Sequence, residues 1–200
     1  NFLINEGDKQ IRMYSRYDPG LEAARWVESL DDNITDANNI LILGFGVGHH
    51  IRALIQAYPN KRYYLYEPDP SILLAAIEHA DLRDVLGHPQ ISMLAIGREQ
   101  EVRTNLLTNL FRRMIGTFAY AITPPYRMLA GGIFDDFDET LRNTVRGYVS
   151  SMNTVSHFRT EWAENTVMNI SRNLVSRSFH GLANSCSGIP GVVVGSGPSL

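Results

Sequence analysis

The chain opens with two short apolar or alternating runs, Phe2–Ile4 and Ile11–Tyr14, separated by the turn-forming Asn5-Glu6-Gly7-Asp8, and this pattern predicts a β-hairpin. Asp18 then stands before Pro19, a pair suited to cap and start a helix, and Leu21, Ala24, Trp26, Val27 and Leu30 follow at near-helical spacing. A helix is expected over about Pro19–Leu30, with polar Asp31–Asn39 as a loop. Ile40–Leu43 is continuously apolar, as a strand buried on both faces of a parallel sheet should be. Gly44-Phe45-Gly46-Val47-Gly48 ends that run, and Ile51, Leu54, Ile55 and Tyr58 recur at helical spacing up to Pro59. Arg62–Tyr66 is the next β-rich run, closing in Glu67-Pro68-Asp69-Pro70. Ile72–His79 is helical, Asp81–Leu86 makes a short turn, Ile91–Ile96 is a third buried-type strand, and a helix runs from Glu99 to about Met114. Strand and helix alternate at spacings that predict an α/β fold: a Rossmann-like, doubly wound, mostly parallel sheet with right-handed crossovers.

Thr117–Ile122 reads as a further strand, broken by Thr123-Pro124-Pro125-Tyr126. Beyond Gly131-Gly132 the period changes. Phe134, Phe137, Leu141, Val145, Tyr148, Met152, Val155, Phe158 and Trp162 step by three or four residues, the mark of one long amphipathic helix, and a second helical stretch is expected from about Ala163 to Ala183. Asn184–Pro190 is a linker, and Gly191–Gly195 begins a new strand. The expected organisation is therefore an α/β domain over 1–130 (with the hairpin within 1–17), a helical connector over 131–187, and over 188–200 the first strand and turn of a second α/β domain whose remainder lies beyond Leu200.

Composition narrows the function classes. With 200 residues, 44% of them hydrophobic, the chain can bury a sizeable core, and no apolar run approaches the roughly 18 residues of a membrane span. A net charge of −3 gives no basic field, so neither nucleic acid nor a membrane is expected as a partner. Cys186 is the single cysteine, which excludes an internal disulfide and fits a reducing, cytoplasmic setting.

Three places invite chemistry. At the end of the Ile40–Leu43 strand, Gly44, Gly46 and Gly48 let backbone N–H groups approach a phosphate or ribose, and the following helix adds its positive N-terminus. Glu67, with Asp69 beside it, ends the next strand, where an acidic residue commonly accepts hydrogen bonds from ribose hydroxyls. A nucleotide or S-adenosylmethionine fits such a site. Yet the third glycine of a dinucleotide fingerprint is replaced by His49, and Ile42 stands where a methyltransferase loop usually carries an acid, so the glycines alternatively serve only tight strand-to-helix packing. His49 and His50 have no Asp, Glu or Cys at ligand spacing, which favours capping or packing over a metal site. The second place is Gly195-Ser196-Gly197-Pro198-Ser199, which has the composition of a phosphate-cradling turn after an apolar run. The third is the row Asn165, Asn169 and Asn173, which suggests polar contacts along one helix face, to solvent, to a neighbouring helix or to a ligand.

In their order along the chain, Ser15-Arg16-Tyr17-Asp18-Pro19 with Glu22-Ala23, Leu41-Ile42-Leu43-Gly44-Phe45-Gly46-Val47-Gly48-His49-His50, Tyr66-Glu67-Pro68-Asp69, the Asn165/Asn169/Asn173-Leu174 helix, and Gly188-Ile189-Pro190 before Val192–Leu200 resemble the motility-associated factor (Maf) glycosyltransferases. The central domain of that family is related to the archaeal 6-hydroxymethylpterin pyrophosphokinase MptE. The resemblance implies an N-terminal Rossmann-like domain, then helices, then a sialyltransferase-like domain that opens with the Gly-Pro-Ser-Leu turn. It implies transfer of a nonulosonic acid from a CMP-activated donor to Ser or Thr of flagellin, in the cytoplasm, with Gly195, Ser196, Gly197, Pro198 and Ser199 as the first part of the nucleotide-sugar site. No catalytic base carries over to these residues, and this stretch alone is expected to be inactive. Three other readings stand beside it: a diphosphotransferase using ATP with Mg²⁺, an S-adenosylmethionine-binding protein built on Gly44–Gly48 and Glu67, and an interaction module whose long helix forms a homo-oligomer seam.

Overall fold

Four of the apolar runs pair side by side, all parallel, in the order β5-β4-β3-β6, where β3 is Asn39–Leu43, β4 is Arg62–Glu67, β5 is Ile91–Ile96 and β6 is Phe118–Ile122. This is seen in a computed structural model that describes residues 3–6, 9–129, 133–175 and 187–190. The two central strands lie in register, Ile40 beside Tyr63 and Leu43 beside Tyr66, and β6 flanks β3 on the other side with Ile40 opposite Ala119. β3 is buried throughout and β4 from Tyr63 onward, which accounts for their unbroken apolar character. The α/β, doubly wound architecture expected from the sequence is the one observed.

Alternation along each strand sorts the core into two layers. Ile40, Ile42, Tyr63 and Leu65 face α1 (Pro19–Glu28), α3 (His49–Ala57) and α4 (Pro70–His79) through Trp26, Val27, Ile51, Leu54, Leu73 and Ala76. Leu41, Leu43, Tyr64 and Tyr66 face the opposite way, onto Leu106, Leu107, Leu110 and Phe111 of α6 (Gln100–Arg113) and onto Phe137 and Leu141 of α8 (Ile133–Val175). The connection through α6 therefore crosses the face opposite to α3 and α4. The strand order reverses between β3 and β6, so the carboxyl ends of those two strands form the topological switch point of the sheet.

The hairpin is present as β1 (Leu3–Glu6) antiparallel to β2 (Lys9–Arg12). Asp18 caps α1 by accepting from Leu21 N at 2.8 Å, with Pro19 in the first turn. The polar stretch Asp31–Asn39 contains a short helix, α2 (Asp32–Asp36), anchored by Ile34; one apolar residue among polar ones gives no periodicity to read. The turn after Asp81 contains α5 (Arg83–Leu86), and the proline break after β6 is the start of α7 (Pro124–Leu129), where proline suits a first helical turn.

The chain divides into two compact units, 1–150 and 151–200. The division falls inside α8 because its first turns belong to the α/β unit, through Phe137 against Tyr66 and Tyr148 stacked on Phe111. The two helical stretches expected on either side of Trp162 and Ala163 are one continuous helix to Val175, as neither glycine nor proline occurs between Ser151 and Val175 to end it. In the second unit Phe158 stacks on Trp162 with ring centroids 5.8 Å apart, and Met152, Val155 and Trp162 are about half exposed. The expected strand over 191–195 lies outside the described residues. Among the described residues, no helix is long and apolar enough to cross a membrane.

Core and exposed positions of α8 should respond differently to truncation. Phe137→Ala is expected to cost about 3–5 kcal/mol of unfolding free energy, whereas Met152→Ala should stay within about 0.5 kcal/mol of the parent. Chemical denaturation of the two variants checks this.

Candidate functional site

The switch point is where a doubly wound sheet binds ligands, and here both of the expected contributors meet: the glycine loop after β3 and Glu67 at the end of β4. Gly44, Gly46 and Gly48 all have positive φ, at 94°, 55° and 83°, so the loop takes a path that side-chain-bearing residues avoid. That path aims its amides inward, at Glu67. Phe45 N and Gly46 N donate to Glu67 Oε2 at 3.0 and 3.2 Å, and Asp69 N donates to Oε1 at 3.0 Å. The Tyr126 hydroxyl, from α7, donates to the same Oε2 and accepts from Gly46 N at 3.2 Å. Glu67 is fully buried, with both carboxylate oxygens engaged by the protein itself.

Gly44 and Gly46 are required by this packing. A Cβ at Gly44 would overlap the Tyr126 ring and come 2.6 Å from Thr123 Oγ1, and one at Gly46 would collide with the Tyr14 hydroxyl. Thr123 Oγ1 lies against the backbone carbonyls of Leu43 and Gly44, at 3.3 and 3.1 Å, which ties the end of β6 to the end of β3. Tyr14, just after β2, accepts from Val47 N. Two tyrosines and a glutamate thus take up the amides of Phe45, Gly46 and Val47 in this loop. What remains open beside the loop is a hollow of about 300 Å³ lined by Tyr14, Ser15, Arg16, Val47, His49 and His79, at the small end of ligand-pocket sizes.

Burial governs the titration of these groups. Desolvation raises the Glu67 carboxyl above its ordinary value, and the hydrogen bonds from Tyr126, Asp69 N, Gly46 N and Phe45 N offset part of that rise. Tyr126 is raised well above the usual phenol range by its own burial and then by the neighbouring Glu67 charge, so it stays a neutral donor. His50 is almost fully buried, edge-on to Trp26 at 5.1 Å, and burial, aided by His49, pushes it down to about 4. His49 is half-buried against Tyr14 and is likewise lowered, by burial first and then by Arg52.

The remaining predicted residues divide as follows. Asp69 is the N-cap of α4: its Oδ1 accepts from Ser71 N at 3.0 Å, and its carboxylate lies 3.6 Å from Arg98. Asn165 and Asn169 lie on the exposed second part of α8, where Asn169 Nδ2 donates to the Asn165 carbonyl at 2.7 Å. Asn173 is in the same helix, but its side chain lies outside the described residues, as do Gly195, Ser196, Gly197, Pro198 and Ser199. Among the described residues no group of three or more His, Cys, Asp or Glu is placed to hold a metal ion. Tyr14, Thr123 and Tyr126 are the site residues that sequence inspection passed over. The sole signal for Tyr126 was its place directly after the proline pair that follows β6, and Tyr14 carried only its position at the end of an apolar run.

No family model matches the chain. An uncharacterized protein of Treponema pallidum (strain Nichols) is 24% identical over 193 residues, covering 94% of this chain and 63% of that relative. The chain therefore spans somewhat less than two thirds of the curated relative it matches. Similar solved structures include human N-acetylserotonin methyltransferase in complex with SAM, with 13% identity, a TM-score of 0.28, and coverage of 46% of this chain and 30% of that one. An O-methyltransferase family 2 protein from Planctomyces limnophilus in complex with apigenin gives 16%, 0.30, and coverage of 66% and 51%. The Methanococcus jannaschii fibrillarin pre-rRNA processing protein gives 17%, 0.28, and coverage of 72% and 71%. Likeness at this level speaks to neither family nor ligand.

Two outcomes test the buried network. Glu67→Gln sets an amide N–H₂ among donors that need an acceptor, and is expected to cost about 1–3 kcal/mol, read as a lowered denaturation midpoint. His50 binds a proton more readily unfolded than folded, so its contribution is complete above pH about 6.5 and is lost as pH falls toward 4. Stability should drop by about 1–3 kcal/mol across that window, and His50→Phe should flatten the drop in a series of pH-dependent melts.

Proposed function

We propose that this chain is the N-terminal α/β and helical region of a motility-associated glycosyltransferase that moves a nonulosonic acid from a CMP-activated donor to Ser or Thr of flagellin. In this reading the glycine loop is architectural. The observation that carries this part is the buried Glu67 carboxylate, whose acceptor capacity is taken up by Phe45 N, Gly46 N, Asp69 N and Tyr126. A donor nucleotide would have to displace Tyr126 and Tyr14 and strip Glu67 of these partners before gaining any contact of its own. Donor binding is accordingly assigned to the Gly195–Ser199 turn, on the motif order that carries the family resemblance. The α/β unit then serves to support the transferase and to present its protein acceptor.

A second reading is favoured by one feature, the strand order that sets an acidic residue at the end of β4 beside a glycine turn. S-adenosylmethionine in the same crevice would take the place of both tyrosine rings. Calorimetric titration of the chain with S-adenosylmethionine, CMP and ATP with Mg²⁺ separates the two. No saturable heat is expected from S-adenosylmethionine, and binding that is abolished by Glu67→Ala would replace the proposal with the second reading. In the organism, deleting the gene should remove the nonulosonic acid mass increments from flagellin; unchanged flagellin mass contradicts the transferase assignment.

A further inference from the structure

On the opposite face of the sheet from α3, between α6 and the first turns of α8, lies a polar groove of about 480 Å³. Arg103 forms its floor and is about nine-tenths buried. Its Nε donates to Thr140 Oγ1 at 3.3 Å and its Nη1 to the Arg98 carbonyl, and the guanidinium also interacts with the Tyr66 hydroxyl. Among the described residues no carboxylate lies within ion-pair distance of this guanidinium, although Asp136 and Glu139 line the same groove. Among the described residues, the buried Tyr66 hydroxyl has no hydrogen-bond partner besides this contact with Arg103. Asn143 stands exposed on the wall, its amide unpaired among the described residues.

A buried cation without a counter-ion is costly and calls for an anionic acceptor. Arg is the side chain best matched to a planar carboxylate. The two acids on the wall repel a multiply charged anion such as phosphate but accept hydrogen bonds from ammonium or hydroxyl groups. We propose that this groove binds a small monocarboxylate bearing hydrogen-bond donors next to its acid group, the carboxylate on Arg103 and the donors on Asp136, Glu139 and Asn143. Two sources share that chemistry, sugar acids and amino acids. The assignment is independent of the function proposed above and concerns a different face of the sheet.

The test is titration of the full chain, followed by nuclear magnetic resonance shift changes, with glucuronate, alanine, acetate and inorganic phosphate. Glucuronate or alanine should bind at least about tenfold more tightly than acetate or phosphate, and which of the two wins identifies the source. Asn143→Ala, an exposed change that leaves the melting temperature in place, should weaken that binding about threefold or more, and Arg103→Lys about tenfold. Should Arg103→Lys fail to fold, Asn143→Ala decides. Phosphate binding as tightly as either carboxylate, no saturation by any of the four up to about 50 mM, or binding indifferent to Asn143→Ala would each overturn the proposal.

Discussion

A buried carboxylate is the constraint on which the carboxyl edge of this sheet depends. Glu67 sits at the end of a central strand with no access to water, and an ionised acid there is costly unless hydrogen bonds surround it. The surrounding chain supplies them from three elements: two amides of the loop after β3, one amide leading into α4, and the phenol of α7. Charge-assisted bonds of this kind are the stronger class, and four of them on one group fix the loop, the strand end and α7 relative to each other. The glycines follow from this requirement. They allow the loop to turn its amides toward Glu67 while Tyr126 and Tyr14 pack against its backbone.

The consequence for function is one of place. A doubly wound sheet offers its ligand crevice where the strand order reverses, and here that crevice is lined with groups already satisfied by one another. Across the sheet the situation differs: among the described residues the buried Arg103 guanidinium has no carboxylate within ion-pair distance, and it forms the floor of an open polar groove. A buried cation with no carboxylate partner calls for explanation. α8 carries two characters along its length, with core positions at Phe137 and Leu141 and exposed residues from Ser151 onward.

Much of the fold was legible because its signals are local. Ile40–Leu43 reads as a central strand from its unbroken apolar run, Asp18-Pro19 as a helix start from capping chemistry, and the Phe134–Trp162 stripe as a helix from its period. The short elements escaped, since α2 rests on the single apolar anchor Ile34 and has no period. The joint expected at Ala163 was absent because a change of residue type does not end a helix when no breaker stands there. At the site, Gly44, Gly46, Gly48 and Glu67 were recognisable as a group that meets in space. Their purpose was not, because the residues that decide it, Tyr14 and Tyr126, come from distant parts of the chain and look like ordinary aromatic core in sequence. Asp69 shows the same limit: an acid after a strand end is consistent with a ligand contact, and only the Ser71 amide reveals it as a helix cap.

The central claim is that the glycine loop is closed by the protein's own side chains. Amide hydrogen exchange at Phe45, Gly46 and Val47 tests it most directly, since these N–H groups donate to Glu67, to Glu67 with Tyr126, and to Tyr14. Protection close to that of Leu41–Leu43 in the neighbouring strand, unchanged by added S-adenosylmethionine, CMP or ATP, is the predicted result. Rapid exchange at these three amides, or protection that develops only when one of those ligands is added, would contradict the account.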